Sequence, residues 1–300
     1  MKKVDLLNIA IDNISTVELL NKLKEGGIVF TPNVDHLIKL QKDENFYQVY
    51  NSATYKVCDS QILMYASNFL NTPIKEKISG SDLLPAFYQY YKHDQQMKIF
   101  LLGAAPGVAQ KAQEKINRQV GRNMIVSVYS PSFGFENNEQ ECEEIIGKIN
   151  DSGATVLAIG VGAPKQEKWI YKYKDKLPQV KVFLAVGASL DFEAQQKKRA
   201  PKWMSEVGLE WFYRLSSEPK RLWKRYLLDS IPFFWLILLQ KLQAYKEPFV
   251  FRDSNTAFKY TKKNKNLVLI NPDDIFAEKI PIAQVEEDEI QTAIGNIRQK

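Results

Sequence analysis

Cysteine and histidine are scarce in this chain: 300 residues contain two of each. Cys58 and Cys142 lie far apart with no Cys-x-x-Cys between them, which argues against a disulfide framework or a zinc cluster. With only His36 and His93, a histidine-built metal site is not expected either. Long apolar runs are also missing. The stretch Ile231 to Leu239 is nine residues, and a helix that crosses a bilayer needs ~20. A mean hydropathy of −0.32 argues against a polytopic membrane protein. The opening residues, MKKVDLLNIAID, hold a short apolar stretch broken by Asp5 and closed by Asp12. That is too short and too charged for a secretory signal, so a cytoplasmic chain is expected. No internal repeat, low-complexity segment or G-x-G-x-x-G is found, and the core lacks an Asp-x-Asp pair of the kind that holds a divalent metal.

What is present is enough apolar residue (45%) for a real core and an ordinary charged share (25%), which excludes a disordered or collagen-like chain. The formal net charge is +6, and its placement matters more than its size. Nine Lys or Arg stand against three Glu between Lys197 and Arg225, so this window carries the excess of the whole chain. A basic patch this local points to an anionic partner: the phosphates of a nucleotide, a nucleic acid or a membrane.

The first half alternates strands and helices. Lys3 to Ile11 reads as one strand, and Ser15 with Glu18 forms a capping box that opens a helix through Leu23. Gly27 to Thr31 is a short buried strand, Val34 to Asn51 a helix, and Tyr55 to Cys58 a strand that ends directly at Asp59. A second unit begins near Met97. Strands are predicted at 98–103, 124–130, 155–162 and 181–187, with helices to about Val120 and from Glu139 to Asn150. This alternation indicates parallel βαβ units with helices on both faces, a Rossmann-like α/β fold. The glycines at three strand ends, Gly103, Gly162 and Gly187, let backbone amides approach a phosphate or ribose, or simply make tight turns.

From Pro201 the composition shifts. Aromatic residues interleave with the basic ones, and the apolar run 231–239 follows. Two readings fit: an interfacial segment with cations and aromatics at headgroup depth, or a helix packed on the core with a solvated basic face. The expected division is a core over 1–196, an appendage over 197–245 and a patterned tail over 246–300. Within the core, the expected halves are 1–95 and 96–196. In the tail, short strands are expected near 249, 266 and 278 and a helix at the end.

Several strings together carry a resemblance: TPNVDH (31–36), CDSQILMYAS (58–67), KISGSDLLP (77–85), FLLGAAPGVAQKA (100–112), GVGAPKQEKWI (160–170), VGASLDF (186–192) and RAPKWMSEVGLEWFYRLSSEPKRLWKRY (199–226). The chain resembles the WecG/TagA/CpsF glycosyltransferases, glycosyltransferase family 26, over about residues 1–243. The resemblance implies inverting, metal-independent transfer of a sugar, of N-acetylmannosamine or glucose type, from a UDP-sugar to a polyprenyl-diphosphate-linked acceptor. The work would be done on the inner face of the cell membrane, in polysaccharide or teichoic-acid-type synthesis. A C-terminal appendage would dock on the anionic membrane surface and complete the site. Self-association is a further family trait, and no cofactor is implied.

The resemblance also assigns roles. Asp59 matches the family's general base; the bland reading is a helix N-cap. Thr31 and Asn33 match a Thr-x-Asn that contacts donor sugar or acceptor, and otherwise read as a turn. Gln166 matches a sugar-binding glutamine, while its neighbours Lys165, Glu167 and Lys168 read as a solvated helix face. Asp191 and Phe135 match contacts to the nucleobase end, Phe135 being equally at home in the core. Arg214, Arg221 and Arg225 match arginines that neutralise the leaving diphosphate, a task suited to a planar fork. Two positions depart from the pattern. Ser60 stands where glycine is common, and Lys77 where an arginine is common, so the phosphate or donor contact at Lys77 loses its bidentate form.

Two competitors remain from the sequence. One is a nucleic-acid binder using the basic, aromatic region 197–226; the apolar run behind that region is a feature it does not need. The other is a catalytically silent UDP-sugar sensor, supported only by Ser60 and Lys77.

Overall fold

The computed structural model describes residues 2–196, then 201, 204, 209–217, 219–223, 231–249, 266–268 and 279–281. Residues 1–250 form one compact unit and 251–300 a second.

In the first unit, six strands form one parallel sheet: β3 (Gly27–Phe30), β4 (Tyr55–Lys56), β5 (Ile99–Gly103), β6 (Ile125–Tyr129), β7 (Val156–Gly160) and β8 (Val182–Ala185). Their order is β4-β3-β8-β7-β5-β6, and every neighbouring pair is parallel. The expected α/β class is therefore observed. Alternation along each strand sends successive side chains to opposite faces. Val29, Leu101, Ala158 and Leu184 join one core cluster. That cluster includes Leu19 and Leu20 of α1 (Thr16–Lys22), Leu83, Leu84 and Phe87 of α5 (Gly80–Tyr90), and Ala112 and Ile116 of α6 (Val108–Val120). The alternate residues Phe30, Phe100, Leu157 and Phe183 are also buried, but point the other way. There Phe30 meets Tyr50 with ring centroids 5.2 Å apart, and α3 (Glu44–Asn51) packs against α8 (Lys165–Tyr173). A sheet covered on both faces is why its strands read as near-continuous apolar runs.

Two segments differ from expectation. The stretch Lys3 to Ile11 is a hairpin, with β1 (Lys3–Leu6) antiparallel to β2 (Ile9–Asp12). Leu7 turns the chain at φ 56°, a conformation a leucine rarely adopts and one that conceals the turn from the sequence. The predicted helix over 34–51 is two helices, α2 (Val34–Lys39) and α3. Asp43 begins the second by accepting a hydrogen bond from Phe46 N at 2.9 Å, a helix start the apolar pattern alone does not reveal. The capping box at Ser15 and Glu18 is present as expected.

The remaining elements are α4 (Gln61–Phe69), α7 (Glu139–Asp151), α9 (Ser189–Glu193), α10 (Glu210–Ser217), α11 (Pro219–Trp223) and α12 (Ile231–Lys241). In the second unit, β9 (Asn266–Val268) and β10 (Lys279–Pro281) pair antiparallel. The strand expected near 249–253 and the final helix fall largely outside the described residues.

Candidate functional site

A parallel sheet puts all its carboxyl ends at one edge, and open α/β proteins bind ligands there. The strand order therefore lines up residues distant in sequence: Asp59 beyond β4, Thr31 and Asn33 beyond β3, Gly187 and Asp191 beyond β8, Gly162 and Gln166 beyond β7, Gly103 ending β5, and Phe135 beyond β6. The chain after β5 goes to β6 on one side and then to β7 on the other, so the order reverses at β5, the feature that opens a crevice in such sheets.

Backbone contacts fix this edge. Asp59 N donates to Pro32 O at 2.9 Å, joining the loop after β4 to the Thr31–Asn33 loop. Ile78 N donates to Cys58 O at 2.7 Å, which draws the Lys77 segment alongside Asp59. A Cβ on Gly103 would stand 2.5 Å from Gly160 O, and one on Gly160 would stand 2.5 Å from Gly187 O. Three strand ends thus meet backbone to backbone, and only glycine fits at the first two. Of the three glycines named from the sequence, Gly103 is held in this close packing, whereas a Cβ on Gly162 or Gly187 would meet nothing within 4 Å and those two sit at positive φ, 88° and 54°.

The individual side chains are set as follows. Asp59 is half-buried, and the N-cap of α4 is Ser60, whose Oγ accepts from Ile62 N at 3.2 Å. Capping α4 is thus the work of Ser60, not of Asp59. Asn33 caps α2 by accepting from His36 N at 3.2 Å, and Thr31 is buried. His36 is buried with Nδ1 3.2 Å from the Tyr50 hydroxyl, a structural contact. Burial pushes the Cys58 thiol up to about 12, so this neighbour of Asp59 is a neutral thiol at physiological pH. Lys77 and Asp59 are both close enough to that thiol to act on it electrostatically, with opposite sign. Burial also holds the Tyr50 hydroxyl well above its ordinary value, with Glu167 and Asp59 adding to the effect.

Gln166 is buried, and its amide is engaged: Oε1 accepts from Gly162 N at 3.2 Å and from Gly187 N at 3.3 Å, while Nε2 donates to Glu167 Oε1 at 2.9 Å. Glu167 corrects the sequence reading. It is fully buried, not part of a solvated face, and burial pushes its carboxyl up to about 7. The flanking lysines are the partly solvated ones: Lys165 pairs with Glu136 at 2.5 Å and Lys168 with Asp43 at 2.7 Å. A signal for Glu167 existed. On a helix it lies beside the inward row Gln166, Ile170 and Tyr173, three residues before Ile170.

Asp191 is half-buried in the first turn of α9. Glu193, which completes the nearest likeness to Asp-x-Asp, is turned to Lys115 at 3.0 Å. Phe135 is only 2% exposed, whereas Phe133 in the same loop is fully exposed, with Lys165 Nζ 4.8 Å from its ring centroid. Arg214 and Arg221 fall on α10 and α11, but their side chains, and the whole of Arg225, lie outside the described residues.

The appendage helix α12 packs beside α2. Phe233 and Ile237 are buried, and Gln240 grips the β1–β2 hairpin: its Oε1 accepts from Leu7 N at 2.9 Å and its Nε2 donates to Asp5 O at 3.0 Å. Ile231, Phe234, Trp235, Leu238 and Leu242 are exposed. Among the described residues, no helix is long and apolar enough to cross a membrane.

The parallel sheet, with the predicted site residues gathered at its carboxyl edge, defines an open α/β protein. Comparison with known proteins makes this specific. Residues 4–247 match the Glycosyl transferase WecG/TagA/CpsF family, and the chain belongs to it. Relatives include the N-acetylglucosaminyldiphosphoundecaprenol N-acetyl-beta-D-mannosaminyltransferases of Staphylococcus aureus strains MRSA252 and MW2. They are 28% and 27% identical over 244 residues, covering 77% of this chain and 90% of each relative.

Proposed function

We propose that the protein transfers a sugar from a UDP-sugar to a polyprenyl-diphosphate-linked sugar acceptor at the inner membrane face, with inversion and without a metal. The activity of the Staphylococcus aureus relatives, as their names state it, favours an N-acetylmannosamine donor and an N-acetylglucosaminyl-diphospho-undecaprenol acceptor. The observation that carries the reading is Asp59: a carboxylate at the carboxyl end of β4, tied by its own N–H to the Thr31–Asn33 loop and relieved of helix capping by Ser60.

In this reading Asp59 takes the proton of the acceptor hydroxyl as its oxygen attacks the anomeric carbon. The bond from that carbon to the β-phosphate oxygen breaks on the opposite face, and UDP leaves with the electron pair. Thr31 and Asn33 orient the sugars. Lys77 and the arginines at 214, 221 and 225 offset the charge that grows on the diphosphate. Asp191 and the loop holding Phe133 and Phe135 receive the nucleobase. The exposed face of α12 rests on the lipid surface, its eleven residues being about 16 Å long against the ~30 Å of a hydrocarbon core.

The test is a screen of UDP-sugars with a short-chain lipid-diphosphate acceptor, reading both UDP release and glycosylated lipid, with and without excess EDTA. Transfer that survives chelation is expected. UDP-sugar binding with no transfer from any donor would leave a silent sensor instead, and loss of transfer in EDTA would remove the metal-free scheme.

A further inference from the structure

Glu167 has no solvent exposure, and among the described residues its Oε2 has no hydrogen-bond partner. A buried polar atom without a partner is costly, and a leucine would occupy the position without that cost. What Glu167 does provide is its other oxygen, which accepts from Gln166 Nε2 at 2.9 Å. The amide of Gln166 has two orientations of nearly equal shape. In the observed one, Oε1 receives the N–H groups of Gly162 and Gly187. Flipped, its NH2 would face two N–H donors, and its oxygen would face the Glu167 acceptor. The acceptor on Glu167 and the two glycine donors therefore hold the same orientation, from opposite ends of the amide.

We propose that Glu167 is a positioning residue for the nucleotide-sugar site, fixing the Gln166 amide that clamps the Gly162 and Gly187 turns together. The proposal rests on the reading of those turns as donor-binding. It joins the loops after β7 and β8 through one side chain, at the edge where Gly160 and Gly187 already meet. The charged and titratable groups facing Glu167 are Asp35 and Lys39 from α2 and Tyr50 from α3, with Asp59 acting on the same Tyr50 hydroxyl. Lys39 is paired with Asp35 at 2.8 Å, and Tyr50 with His36. Burial dominates and raises the Glu167 carboxyl to about 7, with Gln166 and Lys39 opposing it and Asp35 adding to it. Ionisation leaves a buried charge, only partly offset by Gln166 and Lys39, beneath the clamp.

Full-length Glu167→Gln and Glu167→Leu test this with two readouts. The first is hydrogen exchange at the Gly162 and Gly187 amides, which needs no turnover. Glu167→Leu should speed exchange at both by about tenfold, the scale of a lost hydrogen-bond anchor, and Glu167→Gln, which keeps an acceptor oxygen, should largely preserve protection. The second is steady-state kinetics. Glu167→Leu should raise the donor KM by about tenfold and leave the acceptor KM near its wild-type value. Unaltered exchange in Glu167→Leu, or an effect on acceptor KM alone, would overturn the proposal. If Glu167→Leu does not fold, the pH dependence decides. Wild-type protection at the two glycines, corrected for intrinsic exchange, should fall as pH rises from about 4.5 to about 7 and level off above, while Glu167→Gln stays level; parallel profiles would overturn it. A wild type with no transferase activity would refute the function while leaving the exchange result readable.

Discussion

The carboxyl edge of the sheet and the appendage helix α12 solve opposite problems. At the edge, the chain spends its own backbone to remove space: Gly103 lies against Gly160 and Gly160 against Gly187, too close for any Cβ. Polar side chains such as Gln166 are buried and bonded, so the groups that meet a ligand are fixed before it arrives. On α12 the arrangement is reversed. Phe233 and Ile237 hold the helix to the unit, while Phe234, Trp235 and Leu238 stay exposed. Apolar contact without directional bonds suits a partner that is fluid, and preorganised polar contact suits a partner with a fixed stereochemistry. A lipid-linked sugar would present both, so under the proposed function the two regions would serve one substrate.

The contrast along α12 gives the largest effect. Phe233→Ala should cost about 3–5 kcal/mol of stability, the scale of an emptied aromatic core position, read by urea denaturation. Trp235→Ser, at a position 60% exposed, should stay within about 0.5 kcal/mol by the same measurement. It should instead weaken association with anionic liposomes by roughly tenfold or more, since a large apolar side chain contributes about 1.5–3 kcal/mol on burial. If Trp235→Ser destabilised the protein as Phe233→Ala does, the two faces of the helix would not differ as argued here.

Glu167 sharpens the edge side of the comparison. Its pKa of about 7 in the folded protein stands above the ordinary 4.5. The folded state keeps a proton that the unfolded chain releases. The stability this gives is fully present below about pH 4.5 and is lost as pH rises to about 7, in total roughly 3 kcal/mol. Glu167→Gln carries no such proton. Its stability relative to wild type should therefore rise across that window and level off above it. A constant difference between pH 4.5 and 8 would mean that the carboxyl titrates normally.

Asp59→Asn should lower turnover by roughly 100-fold or more, about 3 kcal/mol of barrier, while calorimetry still finds UDP bound. Near-normal turnover would remove Asp59 from the chemistry.

Much of this edge is legible in the sequence because it is local. Buried strands declare themselves as apolar runs, and the terminal glycines mark where the backbone must close up. The capping box at Ser15 is likewise read from four residues. What escapes the sequence depends on partners far away. Glu167 looks solvent-facing beside Lys165 and Lys168, and only the packing of α8 on α3 buries it. Phe133 and Phe135 are two residues apart in one loop, yet the first is exposed and the second is core. Leu7 reads as a strand residue because its neighbours are apolar, while its conformation is set by the hairpin register and by Gln240, more than 200 residues on.

The smallest effect concerns Ser60, where the family commonly has glycine. Its Oγ accepts from Ile62 N, so its role in the structure is to start α4 beside Asp59. Glycine serves nearly as well as serine at an N-cap, and alanine does not, because alanine offers neither the acceptor nor the backbone freedom. Ser60→Ala should therefore cost about 1 kcal/mol and Ser60→Gly only a few tenths, measured by thermal or urea denaturation. Turnover should hold in both variants, since the expected change is confined to the start of α4. If instead Ser60→Gly keeps stability but changes the acceptor KM, the hydroxyl reaches into the cleft, and the edge is shaped by a side chain at a point where only backbone packing has been invoked.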